Sequence, residues 1–218
     1  GKSTLMTMLG ARGFPTRGTV DVLGHRLGRV DMRSLRTHIG HVDPRWRIDI
    51  PLSAHEVVLT GLTNTPELDN RHDYTDSKHA HADALLAMLG MTERRDSLWP
   101  FMSQGERGRT LIARALMPQP PLLLLDEPAT GLDLAAREKL LAGIDQLRAE
   151  VPTLATVLVT HHLEDLPAST SHALLLRDGK IVAAGTVDEA LTSKTISTCF
   201  DHPVDVRRTA GRWSAVAV

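Results

Sequence analysis

The strongest constraint on this chain is the run Leu122-Leu123-Leu124-Leu125, followed at once by Asp126-Glu127-Pro128. Four consecutive apolar residues with turn signals on both sides read as a strand buried on both faces of a parallel sheet. Two carboxylates stand where that strand ends, and in open α/β sheets ligands collect at the carboxyl ends of strands. Charges so close to an apolar run are costly unless a metal or a phosphate-bound partner uses them. A strand that simply runs into an acidic turn fits the same stretch, so the decision rests on the remaining residues.

At 218 residues the chain can bury one sizeable core with a smaller lobe. A net charge of -1 offers no basic field for nucleic acid. The single cysteine, Cys199, excludes an internal disulfide framework and fits a reducing compartment. No apolar run reaches the roughly 18 residues that span a bilayer, and no signal peptide is expected. The expectation is a soluble, cytoplasmic chain with any membrane role exercised through a partner. Because the first residue is Gly1, the chain reads as beginning partway through a motif.

Gly1-Lys2-Ser3-Thr4 precedes a helix-like run through Leu5, Met6, Met8 and Leu9. G-K-[ST] before a helix is the second half of a phosphate-binding loop. There the helix N-terminus holds phosphate oxygens, Lys2 reaches the β/γ-phosphates and the Ser3 hydroxyl meets Mg²⁺. A simple capped helix with a solvated lysine is the plainer alternative. A lysine-tipped cradle combined with an acidic strand end is what Mg-nucleotide hydrolysis needs.

Thr19 to Gly24 predicts a short strand and turn, and His38 to Val42 another strand before Asp43-Pro44-Arg45. Ser53 and Glu56 open a helix towards Gly61, and a second helix covers Ser77 to Gly90. His79 and His81 stand two apart, so on a helix they point about 200° from each other and cannot share a metal. Ser103-Gln104-Gly105-Glu106 opens a further helix, either as an anion site or as an ordinary S-x-x-E capping box. A long helix follows Gly131-Leu132-Asp133-Leu134, and Leu154 to Val159 is a strand ending in Thr160-His161-His162. Ala173 to Gly185 reads as a hairpin. From Lys194 to Val218 the pattern fades; Phe200 and Trp213 are expected to pack back, and no site is expected there.

The order G-K-S-T, S-x-G-E before a helix, L-L-L-L-D-E-P, G-L-D-L and V-T-H resembles the ATP-binding subunit of ABC transporters, over nearly all of the chain to about Gly185. The resemblance implies a P-loop NTPase fold, with a mostly parallel sheet flanked by helices and an inserted helical subdomain. It divides the chain into a core of residues 1–50 and 119–193, a helical subdomain of residues 51–118 that carries the signature, and a tail of residues 194–218. It implies that Gly1, Lys2, Ser3 and Thr4 end the Walker A loop on ATP. It makes Ser3 and Asp126 magnesium ligands, Glu127 the general base, and His161 the switch histidine, with His162 as its neighbour. Ser103, Gln104, Gly105 and Glu106 match the signature that caps ATP held by a second, head-to-tail ATPase subunit, and Asp133 couples the two. ATP and Mg²⁺ are the implied cofactors. The further partner is an integral membrane permease, holding this chain at the inner face of the cell membrane, and no nucleic acid is implied.

Three departures stand out. The first half of Walker A and the preceding strand are missing from this chain. No glutamine follows the early strand, where Asp43 is the candidate oxygen ligand. The signature reads Met-Ser-Gln-Gly-Glu rather than Leu-Ser-Gly-Gly-Gln. A nucleotide-gated module with little turnover, and an ABC-type ATPase outside transport, are the alternative functions.

Overall fold

A computed structural model describes residues 1–42 and 48–218; Asp43, the candidate replacement for the missing glutamine, lies outside the described residues. The chain forms two compact units, Met6–Val159 and Gly1–Leu5 with Thr160–Val218.

Helix α1 (Lys2–Leu9) starts in the smaller unit and continues into the larger one. A two-residue ribbon follows, β1 (Asp21–Val22) with β2 (His25–Arg26), shorter than the strand expected over 19–24. Next come α2 (Met32–Thr37) and β3 (Ile39–Val42). Residues 48–121 then carry only helices: α3 (Ala54–Leu59), α4 (Asp76–Met88) and α5 (Gln104–Leu116), with short 3-10 turns between. The sheet resumes with β4 (Leu122–Asp126), α6 (Leu134–Glu150) and β5 (Ala155–Val159).

Strands β3, β4 and β5 form a parallel sheet with β4 in the middle. The four leucines explain that position. Leu122 and Leu124 face a cluster with Met6, Leu35 and Ile39, whereas Leu123 and Leu125 face the helical cluster of Ile112, Leu140 and Leu141. Alternate side chains of a strand point to opposite faces, so the continuous run is buried twice. Leu123, Leu124 and Leu125 are 0% exposed, and each such burial is worth about 1.5–3 kcal/mol.

The helical segment is anchored by local caps and by the buried cation Arg114. Ser53 and Glu56 close a capping box at the start of α3, as their spacing predicts. The Arg114 guanidinium, buried in α5, donates to Thr60 Oγ1 (2.8 Å) and to the carbonyl of Thr65 (3.1 Å). Burial pulls its pKa down to about 10. Gly61 lies against the Arg114 carbonyl, where any larger residue would collide.

The smaller unit holds two antiparallel hairpins. Strands β6 (His172–Arg177) and β7 (Lys180–Thr186) turn at Asp178-Gly179, both with positive φ, as the tightest hairpins require. Helices α7 (Val187–Ala190) and α8 (Ser193–Phe200) lead to the second hairpin, β8 (Val204–Thr209) with β9 (Arg212–Ala217). The segment in which the sequence pattern fades is therefore regular. Trp213 packs with Val187, Leu191 and Ile196, as expected. Phe200 does not: it is 52% exposed at the last residue of α8, past the side chains that close this core.

Candidate functional site

In the larger unit the acidic pair leaves the sheet in two distinct backbone states. Asp126 is the last residue of β4, in register with Val159, and is half-buried. Glu127 turns away with φ 50°, a left-handed conformation that L-residues seldom adopt. Its N–H still donates to the Val159 carbonyl (2.9 Å), which pins the turn to the neighbouring strand. The Glu127 carbonyl and Oε2 accept from the N–H (3.2 Å) and hydroxyl (3.4 Å) of Thr130. The strain of one left-handed residue is about 1–2 kcal/mol, and such strain concentrates at functional sites.

Beyond Gly131, Asp133 caps α6, its carboxylate accepting from the Ala136 N–H (2.7 Å). Ser103 caps α5 in the same way. Its Oγ accepts from the Glu106 N–H (3.3 Å), while Glu106 Oε2 accepts from the Ser103 N–H (2.8 Å) and hydroxyl (2.9 Å). The ordinary capping box left open by the sequence is present, and it engages the hydroxyl of the signature serine. Arg94 adds an ion pair to Glu106 Oε1 (2.9 Å). Burial pushes the Glu106 carboxyl up, but the bonds from Ser103 and the nearby Arg94 and Arg109 outweigh it and hold it below the usual range. Ser103 and Gln104 are exposed and Gly105 is buried against Ala136. Sequence reasoning missed Arg94, which stands twelve positions from its partner with no spacing rule to connect them.

In the smaller unit Gly1 precedes α1, with its carbonyl accepting from the Leu5 N–H (3.0 Å). Lys2 is half-buried and Ser3 and Thr4 are exposed on the first turn. Lys2 Nζ donates to the carbonyl of Thr160 (3.4 Å), the residue before His161. The rings of His161 and His162 lie 4.0 Å apart and both side chains are exposed. Thr160 Oγ1 donates to the buried Asp165 (2.9 Å) and accepts from the His162 N–H (3.0 Å), so the turn carrying both histidines is closed on itself.

The larger unit thus carries Asp126, Glu127, Ser103–Glu106 and Asp133, and the smaller unit carries Gly1–Thr4 and His161. In the smaller unit Ser3 offers a hydroxyl oxygen, and in the larger unit Asp126 offers a carboxylate oxygen; each by itself is a donor type that Mg²⁺ accepts. Among the described residues, no group of three or more His, Cys, Asp and Glu could hold a metal by itself.

Residues 1–130 match the family described as ABC transporter. The ABC transporter ATP-binding protein YlmA of Bacillus subtilis is 39% identical over 215 residues, covering 94% of this chain and 78% of that protein. The lipoprotein-releasing system ATP-binding protein LolD 1 of Rhodospirillum rubrum is 36% identical over 194 residues, with coverages of 84% and 80%. Among solved structures, the ATP-binding cassette MJ0796, a dimer in a post-hydrolysis state with ADP and Pi, superposes with a TM-score of 0.70 at 26% identity. It covers 86% of this chain and 81% of that one. Clostridium perfringens cbiO1, part of the complex cbiONQ, shares the fold with a TM-score of 0.75 at 23% identity, with coverages of 91% and 77%.

Proposed function

Because the chain belongs to the ABC transporter ATP-binding family, a P-loop ATPase fold, we propose how its residues divide the work of nucleotide binding and hydrolysis. The protein is an ATP-binding, ATP-hydrolysing subunit of an ABC transporter. Phosphoryl transfer depends mainly on positioning and charge neutralisation, so the roles follow from charge and reach.

Lys2 neutralises β/γ-phosphate charge, helped by the N–H groups of Ser3 and Thr4 at the start of α1. Gly1 leaves room for the phosphates. The Ser3 hydroxyl and the Asp126 carboxylate are the groups that would hold a Mg²⁺ accompanying the nucleotide, which would supply charge neutralisation when bound. Glu127 orients and deprotonates the attacking water, and His161 meets the γ-phosphate. The observation that carries this reading is the placement of Glu127: it is held in a left-handed turn at the carboxyl end of the central strand, one residue beyond Asp126.

Ser103 and the N–H groups of Gln104, Gly105 and Glu106 complete the phosphate cradle of a second copy, arranged head to tail. A serine hydroxyl has one proton, so Ser103 must release Glu106 when it donates to that nucleotide. Asp133, at the start of α6, carries the state of one site to the other. Residues 1–50 and 119–193 act as the ATPase core and residues 51–118 as the lever. The lever transmits dimer closure to an integral membrane subunit, which holds the pair at the inner face of the membrane. Among the described residues no helix is long and apolar enough to cross a membrane. A net charge of -1 favours no nucleic-acid partner.

The test is Glu127→Gln in the intact protein. Loss of a general base lowers turnover at least about a hundredfold, and an ATP-bound dimer should accumulate on size-exclusion chromatography. Steady-state turnover equal to wild type would remove Glu127 from the role.

A further inference from the structure

The C-terminal hairpin has no part in the division of labour above, yet it grips the segment that follows His161. Arg212 Nη2, at the start of β9, donates to the carbonyl of Glu164 (2.8 Å). The Ala215 N–H, on the same strand, donates to Glu164 Oε1 (3.1 Å). Main chain and side chain of one residue are thus held by a single strand some fifty positions later in sequence. Glu164 is the middle residue of a 3-10 turn, Leu163–Asp165. Leu163 and Leu166, on either side of it, pack against the core that contains Trp213 and Ile196. Asp165 then reaches back to Thr160, and Thr160 Oγ1 accepts from the His162 N–H. The peptide carrying His161 is therefore closed by its own hydrogen bonds and tied to the hairpin through the next turn.

We propose that the β8–β9 hairpin is a positioning element for His161, with Arg212 and Glu164 as its positioning residues. This rests on the reading of His161 as the histidine that meets the γ-phosphate. A histidine on an exposed turn can present its ring to a phosphate repeatedly only if the backbone beneath it keeps one conformation, and displacements near 1 Å are costly to transition-state geometry. The two bonds to Glu164 supply that constraint. Their loss should free the ring while leaving the groups that bind nucleotide in place.

The experiment combines imidazole NMR with ATPase kinetics on the intact protein. In Arg212→Ala and Glu164→Ala, the His161 ring signals should shift, and kcat should fall about tenfold with KM for MgATP unchanged. Glu164→Gln keeps a side-chain oxygen for the Ala215 N–H and should behave as wild type. Arg207→Ala, on the exposed part of the same hairpin, should alter neither readout. On a His161→Ala background, Arg212→Ala should cause no further loss of turnover. Unmoved His161 signals in both Arg212→Ala and Glu164→Ala would overturn the proposal. So would a loss of turnover repeated in full on the His161→Ala background, which would mark the hairpin as a stabiliser only. Wild-type turnover in His161→Ala alone would instead remove the histidine from the reaction, while the ring signals would still decide whether the hairpin holds it.

Discussion

Gly105 and Ala136 meet so closely that a Cβ on Gly105 would lie 2.9 Å from the Cβ of Ala136. This brings the first turn of α5, where the signature begins, against the first turn of α6, whose cap is Asp133. A methyl group cannot be added there without moving one helix, because a backbone-anchored Cβ has no rotamer to escape into. Gly105→Ala should therefore destabilise the protein by about 1–3 kcal/mol, and turnover should fall as the caps of both helices shift. Ala136→Gly in the same chain reopens the space at a helix-propensity cost of about 1 kcal/mol. The double variant should recover turnover relative to Gly105→Ala, measured by thermal melting and ATPase rate. If it recovers none, the added methyl group obstructs the approach of the phosphate itself and not the packing against Ala136.

That contact also marks the limit of what the sequence discloses. The run Leu122–Leu125 announced a doubly buried parallel strand because period and burial are local properties, and the strand ends in the carboxylates as read. Ser53–Glu56 and Ser103–Glu106 were legible for the same reason, since a capping box is a four-residue motif. The pairing of Arg94 with Glu106, the approach of Gly105 to Ala136 and the hold of Arg212 on Glu164 are set by tertiary packing, and no spacing rule anticipates them. The tail escaped notice because Val204-Asp205-Val206-Arg207-Arg208-Thr209 alternates for only three residues before becoming fully polar. Its strand character comes from pairing with β9 and from Trp213. The left-handed backbone of Glu127 was illegible too, because glycine or asparagine is the usual signal for positive φ.

The backbone of Glu127 sets stability against chemistry. Asparagine enters the left-handed region more readily than glutamate, so Glu127→Asn should stabilise the fold by about 0.5–1 kcal/mol while abolishing turnover. Urea unfolding and ATPase assays on the same preparation check both parts. A less stable Glu127→Asn variant would mean that the bonds from Thr130 outweigh the backbone strain.

Glu106 gives the signature helix a pH-dependent cap. Its carboxyl titrates below the ordinary 4.5 in the folded state, so its contribution is complete above that value and is lost as pH falls through the lower folded value. Glu106→Ala should cost about 0.5–2 kcal/mol at neutral pH, the range for a lost helix cap. Glu106→Gln keeps an acceptor for the Ser103 N–H and loses the charge, and with it the attraction of Arg109 and the ion pair to Arg94, which is 61% exposed and correspondingly weak. It should be close to wild type at pH 7 and flatter than wild type below pH 4.5. Circular dichroism melts across that window distinguish the two variants. Equal acid sensitivity in Glu106→Gln and wild type would show that other carboxylates govern the transition.

A second pH dependence, at milder acidity, belongs to the helical segment. His55 is 5% exposed. Its Nδ1 lies 2.7 Å from Asp83 and its Nε2 lies 2.8 Å from Nδ1 of His79. Arg95 holds the same Asp83 oxygen (2.7 Å). Burial raises the Asp83 carboxyl, but the bonds from Arg95 and His55 outweigh it and keep it ionised. The neutral His55 therefore donates from Nδ1 and accepts at Nε2 from His79. Burial and the charge of Arg95 lower the His55 pKa from 6.5, against the pull of Asp83. The unfolded chain thus takes up the proton first, so stability is complete above pH 6.5 and declines as pH falls below it towards the folded value. His55→Asn retains a donor for Asp83 and removes the titration. Thermal midpoints from pH 8 to 5 should fall in wild type and fall less in His55→Asn. Parallel curves for the two proteins would assign the acid sensitivity to the remaining histidines.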